Sequence, residues 1–120
     1  MTEVETFQKI DRKQGSIHPA ISIYEHCIFI NTLAVKRFKL HNVLSVEMYW
    51  SQEKNQVGFS STDDPSKASF ALSRVTSSGA RVISCQGFIN KYVRSVCEIK
   101  NQRQLTLEKS GDLLVATLER

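Results

Sequence analysis

Apolar and polar residues alternate with a period of two over most of the chain after residue 19, and this is the strongest signal in the sequence. Ala20-Ile21-Ser22-Ile23-Tyr24 places Ile21 and Ile23 on one face, Glu25-His26 supplies a two-residue turn, and Cys27-Ile28-Phe29-Ile30 returns as a buried strand. The pattern then changes. Ala34, Val35 and Phe38 fall at i, i+1 and i+4, one face of a short helix, and Asn31 or Thr32 is placed to cap it. Val46, Met48 and Trp50 alternate with Glu47, Tyr49 and Ser51. After the polar turn Gln52-Glu53-Lys54-Asn55 comes a returning strand, Gln56-Val57-Gly58-Phe59. Residues 60–67, Ser-Ser-Thr-Asp-Asp-Pro-Ser-Lys, are a loop by composition and form the best internal boundary.

The second part repeats this order. Residues 69–74 read as a strand, Ser77-Ser78-Gly79 as a turn and Arg81-Val82-Ile83-Ser84 as its return. After Ser84 or Cys85, a helical stretch gathers Phe88, Ile89, Tyr92 and Val93 on one face. Leu105 and Leu107 then alternate with polar neighbours, Ser110-Gly111-Asp112 turns the chain, and a last strand runs from Leu113 to Leu118. A shift of 54 positions lays Ile28-Phe29-Ile30 on Val82-Ile83-Ser84, Ala34-Val35 on Phe88-Ile89 and Phe38 on Tyr92. A few extra residues then bring Val46 and Met48 onto Leu105 and Leu107. The expected organisation is an N-terminal arm at 1–19, carrying Phe7 and Ile10 among mixed charges. It is followed by a single domain at 20–120 made of two similar halves, about 20–60 and 69–118.

A half of about 45 residues cannot bury both sides of its own sheet. Interleaving the halves into one closed barrel solves this and removes exposed strand edges. The expected fold is therefore mainly β with two short helices, two hairpin–helix–hairpin units forming one pseudo-twofold swapped-hairpin-like barrel. Its expected core contains Ile28, Ile30, Phe38, Met48, Trp50, Phe88, Tyr92 and Leu107. Tyr49, next to Trp50 on its strand, is expected to point outward.

Hydrophobic residues make up 41% of the 120, enough for a core, and no apolar run approaches the ~20 residues of a membrane span. The acidic start, Met1-Thr2-Glu3-Val4-Glu5, lacks the layout of a signal peptide, so a cytoplasmic location is expected. Cys27, Cys85 and Cys97 are an odd, widely spaced set, which argues against a disulfide framework or a structural zinc site. His18, His26 and His41 have no ligand spacing. Asp63-Asp64 lies in a polar loop, no glycine-rich phosphate loop is present, and no cysteine–histidine pairing is visible. The expectation is a non-enzyme that needs neither cofactor nor metal.

Charge adds the functional clue. Sixteen Lys and Arg against twelve Asp and Glu give +4. Between Pro65 and Arg103 seven basic residues face the single acid Glu98, a local +6, which leaves −2 for the remainder.

The strand–helix–hairpin units resemble the AbrB- and MraZ-type family, in which Gly-Arg-Ile-x-Ile-Pro leads into a short helix and a hairpin. The corresponding stretches are Cys27-Ile28-Phe29-Ile30-Asn31 and Arg81-Val82-Ile83-Ser84-Cys85. The glycine is absent from the first and the proline from both. Arg81 keeps the motif arginine, Lys36 matches one position of the basic helix pair, and Val35 replaces the other. The resemblance covers about residues 20–118. It implies a DNA-binding, transcription-regulator-like module that contacts phosphates of duplex DNA. The residues chosen for that face are Lys36, Arg37, Arg74, Arg81, Lys91 and Arg94. The alternative is a small protein-interaction module, an inhibitor or a subunit of a larger complex. Either is expected as a monomer or homodimer, without a membrane partner.

Overall fold

A computed structural model describes residues 18–63, 68–75 and 78–119. The expected arm up to residue 17, the 64–67 part of the polar loop and Ser77 of the second turn lie outside these. Nine strands form one antiparallel sheet: β1 (Ala20–Ile23), β2 (Cys27–Ile30), β3 (Ser45–Ser51), β4 (Gln56–Thr62), β5 (Ser69–Arg74), β6 (Arg81–Ser84), β7 (Leu105–Thr106), β8 (Glu108–Ser110) and β9 (Leu113–Thr117). Among the described residues, short helical segments interrupt them: α1 (Thr32–Arg37), α2 (Gln86–Phe88) with the π-turn Ile89–Val93 that continues it, and a single 3-10 turn at Ile99–Asn101.

The spatial order is β7-β1-β2-β6-β5-β3-β4-β9-β8. The two ends of this order, β7 and β8, are consecutive in the chain and separated by Leu107, whose amide donates to the Pro19 carbonyl at 3.0 Å. The sheet thus curls into a nearly closed barrel, as its apolar alternation requires, because a flat sheet of this size would leave two long edges open. Each first hairpin takes its outer neighbour from the other half. The β1–β2 pair is flanked by β7, and the β5–β6 pair by β3. β2 against β6 and β4 against β9 then join the halves.

This register corrects the phase of the 54-residue shift. Residues opposite one another in antiparallel strands share a face. Ile28 lies opposite Ile83 and Ile30 opposite Arg81, and all four are buried. The shift matched Ile28 with Val82 and Ile30 with Ser84, which are half-buried and exposed. The side chains of β2 and β6 are therefore one residue out of step with that shift.

The core is aliphatic at its centre, with Ile21, Ile23, Ile28, Ile30, Val57 and Phe59 almost wholly buried. Phe88 and Leu107 are buried as expected. Phe38, Met48, Trp50 and Tyr92 are only partly covered and pack against the core from its margin. Trp50 stacks on Tyr92 at 5.9 Å between ring centroids. Tyr49 is 44% exposed. Backbone demands explain two glycines. Gly111 takes φ +62 in the β8–β9 turn, and a β-carbon on Gly58 would lie 3.3 Å from Val115 Cγ1 across the β4–β9 pair.

Candidate functional site

Six residues are too few for a helix to persist alone, so α1 depends on its ends and its neighbours. Asn31 Oδ1 accepts from the Ala34 amide at 2.9 Å and from Ala20 at 3.1 Å, while its Nδ2 donates to the His18 carbonyl at 2.9 Å. One side chain therefore caps the helix and holds it to β1. Ala34 and Val35 are buried beneath it. At the other end the Phe38 amide donates to Ala34 O and the Leu40 amide to Val35 O, both at 2.9 Å, with Lys39 at φ +57. Glycine is the usual residue at such a left-handed stop, and a lysine there carries a conformational cost of about 1 kcal/mol. Lys36 and Arg37 occupy the last turn, next to the negative end of the helix dipole.

Arg81 requires a correction. Its place opposite Ile30 turns the side chain inward, and the residue is 4% exposed. Nε donates to Ser73 O at 3.2 Å. One terminal nitrogen donates to Leu40 O and to His41 O at 3.0 Å, and the other to Val43 O at 2.7 Å and Leu72 O at 2.6 Å. A guanidinium has five N–H donors, and all five are used. Burial, and then the neighbouring charge of Arg74, hold its pKa below the usual arginine value. Arg81 therefore has no donor left for a phosphate. It ties the loop between α1 and β3, whose carbonyls lack strand partners of their own, to β5.

The other five expected residues are exposed, but they separate into two groups. Arg74 donates to His41 O at 3.2 Å, which sets it beside the loop that follows α1, the helix of Lys36 and Arg37. Lys91 lies over the Tyr92 ring at 5.3 Å. Arg94 donates to Asn90 Oδ1 at 2.8 Å and approaches Glu25 at 3.8 Å, so its charge is partly answered locally.

Of the α1 group, Arg37 lines an open cleft of about 560 Å³. Its walls are Arg37, Phe38, Lys39 and Leu40 from the end of α1, Ser60 and Ser61 from β4, and Lys109, Asp112 and Leu114 from the β8–β9 hairpin. Three cations and one carboxylate leave a net +2, next to two hydroxyls and one aromatic ring. Such a set suits an anion with an apolar part: ammonium and guanidinium groups attract charge, hydroxyls donate, and Phe38 offers a face. Sequence reasoning found Arg37 here and missed Lys39, Lys109 and the two serines. The run Lys36-Arg37-x-Lys39 behind a capped helix was the available signal for Lys39. Lys109 and the serines meet α1 only through tertiary folding.

The cysteines do not contribute. Burial first, and then the nearby Cys27, push the Cys85 thiol up to about 12, which leaves it unreactive at neutral pH. Among the described residues no helix is long and apolar enough to cross a membrane. No protein-family profile, curated protein or solved structure matches the chain.

Proposed function

We propose that the chain is a DNA-binding module that holds phosphates through the end of α1 and the adjoining cleft, with Lys36, Arg37, Lys39, Arg74 and Lys109 as the contacting cations. The observation that carries this reading is the open cleft in which Arg37, Lys39 and Lys109 converge with the hydroxyls of Ser60 and Ser61. A backbone phosphate needs charge and hydrogen-bond donors together, and its binding releases condensed counterions. We also read the two halves as a swapped-hairpin pair of the AbrB/MraZ type. The exchange of β7 and β3 between the hairpins supports that reading.

The test is fluorescence anisotropy with a labelled duplex over a range of salt concentrations. Arg37→Gln and Lys109→Gln should each reduce the magnitude of the log K against log salt slope by ~0.9 per lost contact, whatever the base sequence. Lys100→Gln, in an exposed pair with Glu98 at 3.3 Å, should leave the slope unchanged. Equal slopes for all four proteins would remove the site assignment. One observation favours the second reading, a protein partner: Leu44 is 78% exposed. No binding of DNA at low salt, with Leu44→Ser abolishing self-association or capture of a protein, would decide for it.

A further inference from the structure

We propose that the α1 cleft receives one unstacked nucleotide, so that the protein prefers single-stranded nucleic acid to duplex. This rests on the phosphate-binding reading above and adds the substrate class. A duplex offers its phosphates on convex ridges and keeps the faces of its bases stacked inside. Arg37, Lys39 and Lys109 instead line a concavity, and its volume falls within the range of sites that enclose a small ligand. The walls are also mixed in a way that phosphate alone does not use. Phe38 is half-buried, and it lines the cleft beside Leu40 and Leu114. An aromatic face on an apolar wall stacks with any base, provided the base has left its own stack.

The polar groups fit the rest of a nucleotide. Arg37, Lys39 and Lys109 line the cleft from two separate elements, the end of α1 and the β8–β9 hairpin. Phosphates on either side of a seated base would meet them. Ser60 and Ser61 on β4 offer hydroxyls to the sugar or the base edge. Asp112 is the one acceptor-only group. It opposes a second phosphate inside the cleft and favours a donor edge there. Lys39 adds a further indication. It lines this cleft while holding the left-handed conformation at φ +57 that glycine adopts at less cost.

The experiment compares three labelled ligands on the full chain at one salt concentration, by anisotropy: an oligothymidylate, the same strand annealed to its complement, and an abasic strand of equal length. The oligothymidylate should bind roughly tenfold more tightly than the abasic strand, the effect of one base–aromatic stack, and more tightly than the duplex. Phe38→Leu, which keeps an apolar side chain against the core, should bring oligothymidylate affinity down to that of the abasic strand on the same protein. The three-ligand comparison needs no variant, so it stands even if that protein folds poorly. Equal affinity for the oligothymidylate and the abasic strand, or tighter binding of the duplex, would overturn the inference and leave phosphate binding intact. No binding of any of the three at low salt would overturn both.

Discussion

The two helical segments follow equivalent hairpins and occupy equivalent places in the strand order, yet they are stabilised differently. At α1 the backbone is satisfied by Asn31, and the helix ends in three cations within four residues, Lys36, Arg37 and Lys39. α2 has no side-chain cap at Cys85, widens into a π-turn and relies on packing. Phe88, Ile89 and Val93 are buried there. Phe88 meets Tyr92 at 5.1 Å and Phe70 at 6.5 Å, and Tyr92 continues to Trp50. A polar cap fixes a helix without demanding that its whole face be covered, which frees the end of α1 to border an open cleft. Aromatic packing fixes α2 by covering it. One plan of connectivity thus yields a surface in one half and an extension of the core in the other.

The sharpest way to break this comparison is truncation of the matching aromatics. Phe88→Ala should cost ~3–5 kcal/mol, because a cavity adds to the lost transfer energy. Phe38→Ala, at the half-buried position, should cost about half as much. Urea denaturation midpoints would show it, and equal losses would mean that both helices are held by packing alone. Arg81→Met comes next, at about 3 kcal/mol. It strands several carbonyls at ~1–3 kcal/mol for each one that stays dry, although those of the loop can regain water. A variant close to wild type in thermal melting would show that the loop does not need the guanidinium. Asn31→Ala should cost about 2 kcal/mol, since it removes the cap together with the tie to β1. No substitution at Cys85 can remove a comparable cap hydrogen bond. Cys85 sharpens the contrast through pH. Its folded value of about 12 lies above the ~8.5 of an unfolded thiol, so the folded state keeps its proton longer. The stability from this group is intact below pH ~8.5 and falls by about 1.4 kcal/mol per unit as pH rises further, until the folded value is reached. Cys85→Ala should flatten that part of a stability–pH profile, and an unchanged slope would remove the assignment.

Much of the fold was legible because each element carried its own local signal. Ile21 and Ile23 against Ile28 and Ile30 indicated the first hairpin, the pair Asn31-Thr32 marked the start of α1, of which the structure uses Asn31, and Gly111 marked the last turn. Arg81 was misread for a physical reason. In Arg81-Val82-Ile83-Ser84 both alternations contain one apolar and one polar residue, so the sequence does not say which face is inward. Register against Ile28 and Ile30 settles it. The expectation that a basic residue seeks water then fails, because carbonyls of the loop after α1, outside any strand ladder, supply the partners that water would otherwise provide. The cleft was legible only in part, because Ser60 and Lys109 come together through the β4–β9 and β8–β9 pairings and meet Arg37 only in the folded chain. No local window contains them.

The exchange of β7 and β3 between hairpins also bears on how the chain folds. The β1–β2 hairpin can form early from local contacts, but its outer neighbour is Leu105–Thr106, near the far end of the sequence. Until that segment arrives, β1 presents a row of unpaired amides and carbonyls beside Ile21 and Ile23, the kind of edge that recruits strands from other molecules. During synthesis this edge emerges well before the segment that covers it. Closing such sequence-distant pairs is intrinsically slow, so the nearly closed barrel of the finished protein implies an aggregation-prone interval while the chain is still being made.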